Sequence, residues 1–259
     1  KNKVEAVVEY PTYEPMLRQA QTYFKDTKRI VRKKENNYRF DPEELERVIS
    51  NKTAVLVMTN PHAPSGVSLS RKELNEVMEV ARNHDCHVVC DEIYAEFDRE
   101  NNIPIFSVDP ELGIVTTSFS KAYGLGGLKA GIAVASKEVV DELYSIVFNT
   151  VGTDSNLVEL VLISLLTKGR NTMERHRQKW VFMRNKTEKW LKQTDLVSYT
   201  LNNCGGVVWL ETQIRDTYKW VNQYTVPEFS LAVVPGAFFL YKNDYRIKKS
   251  NAVRLGLGK

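Results

Sequence analysis

The sequence has few of the features that mark several protein classes. It contains only three cysteines, Cys86, Cys90 and Cys204, which is an odd and sparse set that argues against a secreted disulfide framework and favours a reducing, cytoplasmic compartment. No apolar run reaches the roughly 18–20 residues that a membrane span needs. Basic and acidic residues number 36 and 32, and no run of lysines or arginines alternates with aromatic residues. We therefore expect neither a membrane nor a nucleic acid as a partner.

What the sequence does have is the composition of an ordinary globular protein. Hydrophobic residues make up 42% and charged residues 26% of its 259 residues, so disorder and fibrous or low-complexity structure are excluded. It starts at Lys1 without a methionine or a targeting segment, and it stops at Lys259 just after a strand-like run. We expect that these residues are part of a longer polypeptide.

Strand-like and helical patterns alternate over the first two-thirds of the chain, which predicts βαβ units and a mostly parallel sheet. The predicted strands are Val4–Tyr10, Arg29–Lys33, Thr53–Thr59, His87–Cys90, Gly113–Thr117 and Leu128–Ala135. The predicted helices are Tyr13–Thr27, a helix that begins at Asp41 and Pro42, and Ser70–Asn83. Asp41 and Ser70 are expected N-caps, and Glu73 completes a capping box with Ser70.

The pattern changes after about residue 155. A long helical stretch covers Leu157–Gln193 with a break near Gly169, and shorter strand-like pieces follow at Gly206–Leu210, Ala232–Val234 and Val253–Leu257. We therefore predict an α/β protein with a mostly parallel sheet in a large domain, residues 1–185, and a smaller α+β C-terminal domain, residues 186–259.

Unusual polar residues follow three of the apolar runs directly. They are Asn60, Asp91 and the segment Ser118–Lys121. Because chemistry in open α/β sheets gathers at the carboxyl ends of the strands, these residues predict one shared site.

The strongest signal is the segment Ser118–Gly131 (SFSKAYGLGGLKAG), in which Lys121 follows a buried strand and precedes a glycine-rich turn. This segment resembles the lysine signature of class I/II aminotransferases, which are fold-type I enzymes that use pyridoxal 5′-phosphate (PLP). The resemblance implies that Lys121 forms a Schiff base with PLP and then acts as the general base.

Further motifs resemble this family in the same order along the chain. They are Pro11-Thr12-Tyr13, the turn Asn60–Gly66 (NPHAPSG), Asp91-Glu92-Ile93-Tyr94, Pro235-Gly236 and Val253-Arg254-Leu255. Any one of these motifs is weak alone, but several in family order make coincidence improbable.

The resemblance also implies a role for each matching residue. Tyr13 stacks on the cofactor ring, and Asn60 belongs to the turn that holds it. Asp91, as a carboxylate, stabilises the protonated pyridine nitrogen, and Tyr94 donates its hydroxyl to the phenolate O3′. The remaining three positions bind anions: Arg254 binds the substrate α-carboxylate with two hydrogen bonds, and Ser118 and Lys129 bind the phosphate.

The sequence departs from the family pattern at two of these positions. Lys129 stands where the family usually has arginine, so the positive charge is kept and the bidentate fork is lost. Ala63 replaces the second asparagine of the turn, which removes one hydrogen bond to O3′, worth about 1 kcal/mol. The family's phosphate loop and substrate-gating segment would precede Lys1.

These observations lead to one function and two alternatives. We predict a PLP-dependent aminotransferase that moves an amino group between an amino acid and a 2-oxo acid, and the resemblance implies a homodimer. The alternatives are a PLP-dependent lyase or synthase on the same scaffold, and a PLP-binding module with weak or no activity. We expect no metal site, because Cys86 and Cys90 face one side of a strand and His87 the other.

Overall fold

The computed structural model describes residues 3–152, 155–201, 206–241 and 249–257, together with every side chain in them except those of residues 98, 170, 172 and 173. Cys204 lies outside these ranges. The residues within these ranges form ten strands in two sheets. In chain order the strands are β1 (Glu5–Tyr10), β2 (Asp26–Val31), β3 (Thr53–Thr59), β4 (His87–Asp91), β5 (Gly113–Ser118), β6 (Gly131–Val134), β7 (Val197–Thr200), β8 (Val207–Thr212), β9 (Val234–Pro235) and β10 (Ala252–Gly256).

The larger sheet has the strand order β2-β1-β3-β4-β5-β6. Its first five strands run parallel, and β6 pairs antiparallel with β5. The smaller sheet is antiparallel, with the order β7-β8-β10-β9. The predicted fold class, a mostly parallel α/β sheet followed by a smaller α+β part, is therefore confirmed.

Eight α-helices connect and cover these strands within the described part of the chain. They are α1 (Glu14–Tyr23), α2 (Pro42–Val48), α3 (Arg71–Asn83), α4 (Lys137–Thr150), α5 (Asn156–Lys168), α6 (Arg170–Leu191), α7 (Thr217–Trp220) and α8 (Val226–Phe229). One turn of π-helix, Val221–Thr225, joins the last two.

The helix starts that the sequence marks most clearly are confirmed. The Asp41 carboxylate accepts hydrogen bonds from the first backbone amides of α2. Ser70 and Glu73 form the predicted capping box at the start of α3, whose apolar face, including Leu74, Val77 and Met78, packs in the main core. Caps fix these boundaries because they satisfy amides that have no partner within the helix.

Several element boundaries differ from the prediction. Strand β2, for example, spans Asp26–Val31 instead of Arg29–Lys33. Two other differences have reasons that lie in the tertiary structure. The helix predicted over Tyr13–Thr27 ends at Tyr23, because β2 already begins at Asp26, where it pairs with β1. The strand predicted to begin at Leu128 begins at Gly131, because Gly126–Leu128 forms a 3₁₀ turn that Lys129 ends with a left-handed φ of 56°.

The long helical stretch is broken at Gly169, as predicted, and α5 and α6 lie on either side of that glycine. Trp180 of α6 contacts Phe97, with ring centroids 4.8 Å apart, and also packs in one cluster with Val207, Val208 and Leu210 of β8. Helix α6 thus packs against both the loop after β4 and the smaller sheet. The predicted domain boundary between residues 185 and 186 falls within α6 and stays a prediction.

Helices α4 and α5 contrast with α3 because neither of them has a buried residue. Large apolar side chains are exposed on both helices, among them Tyr144, Ile146, Phe148, Leu157, Leu160 and Ile163. All four residues of β6 are exposed as well. Among the residues that the structure describes, no helix combines the length and hydrophobicity needed to cross a membrane.

Candidate active site

Three of the predicted site residues lie at the carboxyl ends of three adjacent parallel strands. Asn60 follows β3, Asp91 ends β4 and Ser118 ends β5. Thr59 pairs with Asp91, and the Asn60 backbone amide donates to the Asp91 carbonyl at 3.1 Å. The parallel register therefore brings together residues that are about 30 positions apart in the sequence.

Asn60 is fully buried, and only one of the two polar atoms of its side chain has a hydrogen-bond partner among the described residues. Its Oδ1 accepts a hydrogen bond from the Leu69 amide at 2.9 Å. Its Nδ2 has no hydrogen-bond partner among the described residues. A buried donor of this kind costs free energy unless something pairs with it, so it marks a position where a ligand acceptor is favoured.

Asp91 is a partly buried carboxylate at the same edge. Its Oδ1 accepts from the Ile93 amide at 3.0 Å. Burial raises the pKa of Asp91, and the Ile93 hydrogen bond and the Lys121 ammonium oppose that rise. The electrostatic interaction places Lys121, whose side chain is exposed, close enough to Asp91 to favour its ionised form.

Tyr94 lies beneath these groups with 6% of its surface exposed. Its ring stacks on Phe97 with centroids 6.2 Å apart. Burial raises the pKa of Tyr94, the Arg254 guanidinium lowers it, and the charges of Asp91 and Tyr13 raise it further. The Tyr94 hydroxyl is thus within electrostatic reach of an arginine, an acid and a second tyrosine.

Arg254 comes to the site from β10 of the smaller sheet. Its guanidinium lies over the ring of Phe239, 4.9 Å from the centroid, and its Nε is buried with no hydrogen-bond partner in the described part of the chain. The carbonyl of Phe239 accepts from the Thr12 amide at 3.1 Å, next to Tyr13. Phe239 therefore supports Arg254 and connects it to the loop after β1.

Ser118 and Lys129 lie on the more exposed side. The Ser118 hydroxyl accepts from the Ser120 amide at 3.1 Å. Ser118 pairs with Gly131 across β5 and β6, so Lys129, two residues before that pair, lies at the same edge of the sheet. Lys129 is exposed, with the left-handed backbone described above.

Ala63, the second departure from the family pattern, packs in an apolar environment. It belongs to the same buried cluster as Tyr94, Phe97 and Trp180, and its amide donates to the Thr59 hydroxyl at 2.8 Å. The position that holds an amide in the family is therefore part of the apolar support beneath Tyr94.

Sequence reasoning assigned no role to a buried polar network behind the site. Glu9 of β1 accepts from Arg32 at 2.8 Å and from the backbone amide and hydroxyl of Thr59, and His62 lies beside it. Glu9 and Arg32 are both inaccessible to solvent. The signal in the sequence was a glutamate that directly follows the apolar residues Ala6, Val7 and Val8 of a buried strand, which is unusual unless the charge is paired.

The two cysteines that the structure describes, Cys86 and Cys90, are buried free thiols. Burial raises the pKa of Cys86 to about 12, so this thiol is protonated and a poor ligand or nucleophile. Across the described ranges, no group of three or more histidine, cysteine, aspartate or glutamate side chains is placed to hold a metal ion.

Comparison with protein families gives one match over nearly the whole chain: the family model described as aminotransferase class I and II matches residues 1–252. The chain is 26% identical over 219 residues to aromatic-amino-acid aminotransferase 2 of Thermococcus litoralis, covering 79% of this chain and 54% of that protein. It is 24% identical over 205 residues to an aspartate aminotransferase of Pyrococcus horikoshii, covering 78% and 50%. The chain thus spans about half the length of the curated relatives it matches.

Solved structures resemble the whole chain. A PLP-dependent aminotransferase from Streptococcus suis superposes with a TM-score of 0.89 at 23% identity, covering 100% of this chain and 67% of that one. An aspartate aminotransferase of Thermus thermophilus with maleate gives a TM-score of 0.87 at 21% identity, covering 100% and 66%. At these identities the likeness establishes the fold, and the chemistry has to be argued from the residues themselves.

Proposed function

This chain belongs to the class I and II aminotransferase family, and we propose that it takes part in PLP-dependent transfer of an amino group between an amino acid and a 2-oxo acid. The proposal depends on one observation: Lys121 interacts electrostatically with the partly buried Asp91 carboxylate, and the two residues lie at the carboxyl ends of adjacent strands. An amine and an acid in this arrangement serve proton transfer at a substrate carbon.

The residues present fit PLP, as judged by the unpartnered Nδ2 of Asn60 and by the chemistry of the groups around it. Asn60 Nδ2 and the Tyr94 hydroxyl supply donors for a phenolate oxygen, and the Asp91 carboxylate supplies an acceptor for a protonated ring nitrogen. When bound, PLP supplies an electron sink that makes the substrate Cα–H bond easier to break. The loss of an amide at Ala63 leaves Asn60 and Tyr94 as the donors to the oxygen.

Lys121 is proposed as the group that takes the proton from the substrate Cα and returns it. Its side chain is exposed at the open side of the site, where an incoming amino acid reaches it. Burial raises the pKa of Asp91, and the Lys121 ammonium opposes that rise and so favours the ionised acid. In this arrangement the acid holds the cofactor ring and the lysine moves the proton.

Arg254 is proposed to bind the α-carboxylate of the substrate. Its Nε is buried and available for a hydrogen bond, and a guanidinium holds a carboxylate with two parallel bonds. The Phe239 ring beneath it limits the orientations that the guanidinium adopts. This fixes the substrate relative to Lys121.

The remaining assignments concern the phosphate and the cofactor ring. We propose that Ser118 and Lys129 bind the phosphate, and that the half-exposed Tyr13 packs on the face of the ring. Tyr13 contributes to the electrostatic environment of Tyr94, which supports a position close to Tyr94.

We also propose that the protein is a cytoplasmic homodimer with a domain boundary near residue 185. The buried free thiols of Cys86 and Cys90 support a reducing compartment. The exposed apolar side chains of α4 and α5 support burial of that face against a second copy. Sedimentation analysis of the complete protein tests this proposal, because a dimer has twice the mass of one chain.

The experiment that tests the function is an absorption spectrum of the complete protein with added PLP. We expect a visible band from bound cofactor that an amino acid bleaches and a 2-oxo acid restores. Release of ammonia and a 2-oxo acid without an acceptor would instead indicate the lyase alternative. A stable band that no amino acid changes would indicate a PLP-binding module without activity. Ala63 and Lys129, which depart from the family pattern, favour that alternative. The absence of any band would contradict the proposal.

A further inference from the structure

His62 is a fully buried histidine to which the proposed reaction gives no role. Its Nε2 lies 3.0 Å from the carbonyl oxygen of Pro11, and its Nδ1 lies 2.7 Å from the hydroxyl oxygen of Ser65. Both ring nitrogens therefore have partners: Ser65 lies in the same turn as His62, and Pro11 lies in the loop after β1.

The partners determine where the single ring proton lies. A carbonyl oxygen can only accept, so Nε2 carries the proton and donates it to Pro11. Nδ1 then accepts from the Ser65 hydroxyl, whose oxygen in turn accepts from the Val67 amide at 3.3 Å. The neutral ring with this tautomer satisfies each of these groups.

The surroundings favour that neutral form. Burial lowers the pKa of His62 well below its ordinary value, and the Arg32 guanidinium lowers it further. Glu9 also faces the ring, with its Oε2 3.9 Å from Nε2, which is beyond hydrogen-bond distance. The Tyr38 ring covers the remaining side, with centroids 5.9 Å apart. Because Ser65 and His62 are both inaccessible to solvent, the pair cannot act on a substrate.

The hydrogen bond from His62 to Pro11 joins two loops that each carry a proposed site residue. Pro11 lies two positions before Tyr13 in the loop after β1, and His62 lies two positions after Asn60 in the turn after β3. The loop after β1 is also tied to the support of Arg254 through the bond from Thr12 to Phe239. A shift at Pro11 therefore displaces both the loop that carries Tyr13 and the support of Arg254.

We propose that His62 is a positioning residue whose Nε2–H bond to the Pro11 carbonyl sets the gap between the Tyr13 loop and the Asn60 turn, into which the flat ring of PLP fits. The inference rests on the proposed function. A residue of similar size that does not donate a hydrogen bond to Pro11 cannot replace His62 in this role. Packing alone does not fix the distance between the two loops.

Two substitutions of His62 distinguish the effect of the hydrogen bond to Pro11 from the effect of side-chain packing. His62→Gln places its amide nitrogen near the position of Nε2 and keeps the donor to Pro11. His62→Asn places its amide nitrogen near Nδ1 and does not reach Pro11. The matched control is His84→Asn, because His84 also hydrogen-bonds through both ring nitrogens, to Asn51 and Glu46, but precedes β4 at the opposite edge of the sheet.

The measurements are the dissociation constant for PLP, the visible circular dichroism of the bound cofactor and the thermal unfolding midpoint of the cofactor-free protein. We expect His62→Asn to weaken PLP binding about tenfold, since a buried carbonyl loses its donor. The same substitution should alter the circular dichroism, while His62→Gln and His84→Asn leave affinity within about threefold of the parent. We expect the unfolding midpoint of His62→Asn to lie below that of His62→Gln, because the Pro11 carbonyl is left without a donor in the cofactor-free protein as well.

Three outcomes would overturn the inference. Equal weakening of PLP binding by both His62 variants, in proportion to their loss of thermal stability, would show that the residue only fills space. Parent-like affinity and circular dichroism in His62→Asn would show that the bond to Pro11 is dispensable. A parent protein that binds no PLP would overturn the proposed function together with this inference, so the two failures are distinguishable.

Discussion

The two halves of the candidate site differ in how firmly the fold holds them. The half formed by Asn60, Tyr94 and Arg254 is largely buried, with rings packed beneath it and two polar atoms left without a partner in the described residues. The half formed by Lys121 and Lys129 is exposed at the other side of the edge. Partly buried Asp91 lies between them and interacts electrostatically with Lys121.

This difference separates two tasks. The buried half is arranged in advance to accept a rigid ring and a carboxylate, because its side chains are held by packed rings and its two unpaired polar atoms favour a ligand that pairs with them. The exposed half holds a side chain that has to move between cofactor and substrate, and a lysine on a loop retains that freedom. The four substitutions below, from the largest expected effect to the smallest, test whether the division holds.

The largest effect is expected in the exposed half. Lys121→Ala removes the proposed proton carrier and should reduce transamination on the order of 10²- to 10⁴-fold, the usual range for general acid–base catalysis. After borohydride reduction, mass spectrometry should find PLP fixed to the parent and not to the variant. Lys137→Ala is the control, because Lys137 is an exposed lysine whose described partner is Asp141 on α4. PLP fixed to the Lys121→Ala variant would refute the assignment.

The next effect tests the acid between the halves. Asp91→Asn removes a charge-assisted hydrogen bond worth about 1.5–3 kcal/mol, so we expect activity to fall roughly 10- to 100-fold. Because the ionised form is required, the activity of the parent should also fall as the pH drops through the raised pKa of Asp91. Steady-state rates as a function of pH measure both effects. A variant as active as the parent would exclude Asp91 from the reaction.

The same substitution should have the opposite effect on stability. Burial raises the pKa of Asp91, so the stability that its protonated form provides is present below the ordinary pKa of aspartate and is lost as the pH rises through the raised value. The uncharged asparagine avoids that loss. Without cofactor, Asp91→Asn should therefore unfold at a higher temperature than the parent at pH 7, and the gap should close in acid. A lower unfolding temperature at pH 7 would contradict this explanation.

The third substitution returns to the buried half. Arg254→Lys keeps the charge and loses the fork, so one of two hydrogen bonds to the substrate carboxylate is lost, which raises KM about tenfold. An amine substrate without an α-carboxylate serves as the control, and its KM should not change. Equal effects on both substrates would indicate a general disturbance of β10 instead of a lost carboxylate contact.

The smallest effect is expected from Lys129→Arg, which restores the residue usual in the family. An exposed charge pair contributes about 0.2–1 kcal/mol, so PLP affinity should improve by no more than about fivefold. The left-handed backbone at this position imposes the same strain on either residue. Titration of the cofactor-free protein with PLP measures the change, and weaker binding would indicate that Lys129 does not face the phosphate.

The elements that were predicted correctly are those whose signals are local. The apolar run Thr53–Thr59 is β3 residue for residue, the caps at Asp41 and Ser70 begin their helices, and Gly169 separates α5 from α6. Caps, glycine breaks and buried runs act over a few residues, so a single sequence contains them in full.

The features that sequence alone did not provide depend on contacts between distant segments. The early end of α1 follows from the pairing of β2 with β1, and the late start of β6 follows from a turn at Lys129. The same holds for the site: Arg254 and Tyr94 are 160 positions apart, and motif order predicted a shared site without showing Phe239 as the support of Arg254. His62 was visible between two prolines, but its partner Pro11 lies on another strand connection.

Strand β6 has a practical consequence for work with these residues. It ends the larger sheet, it pairs with β5 within the described chain, and its apolar side chains, including Ile132 and Val134, are exposed. A strand edge of this kind is a template for further strands and a recognised source of aggregation. Expression of residues 1–259 alone should therefore give β-rich precipitate that grows with concentration, and lysine in place of Ile132 should keep more of the protein in the supernatant.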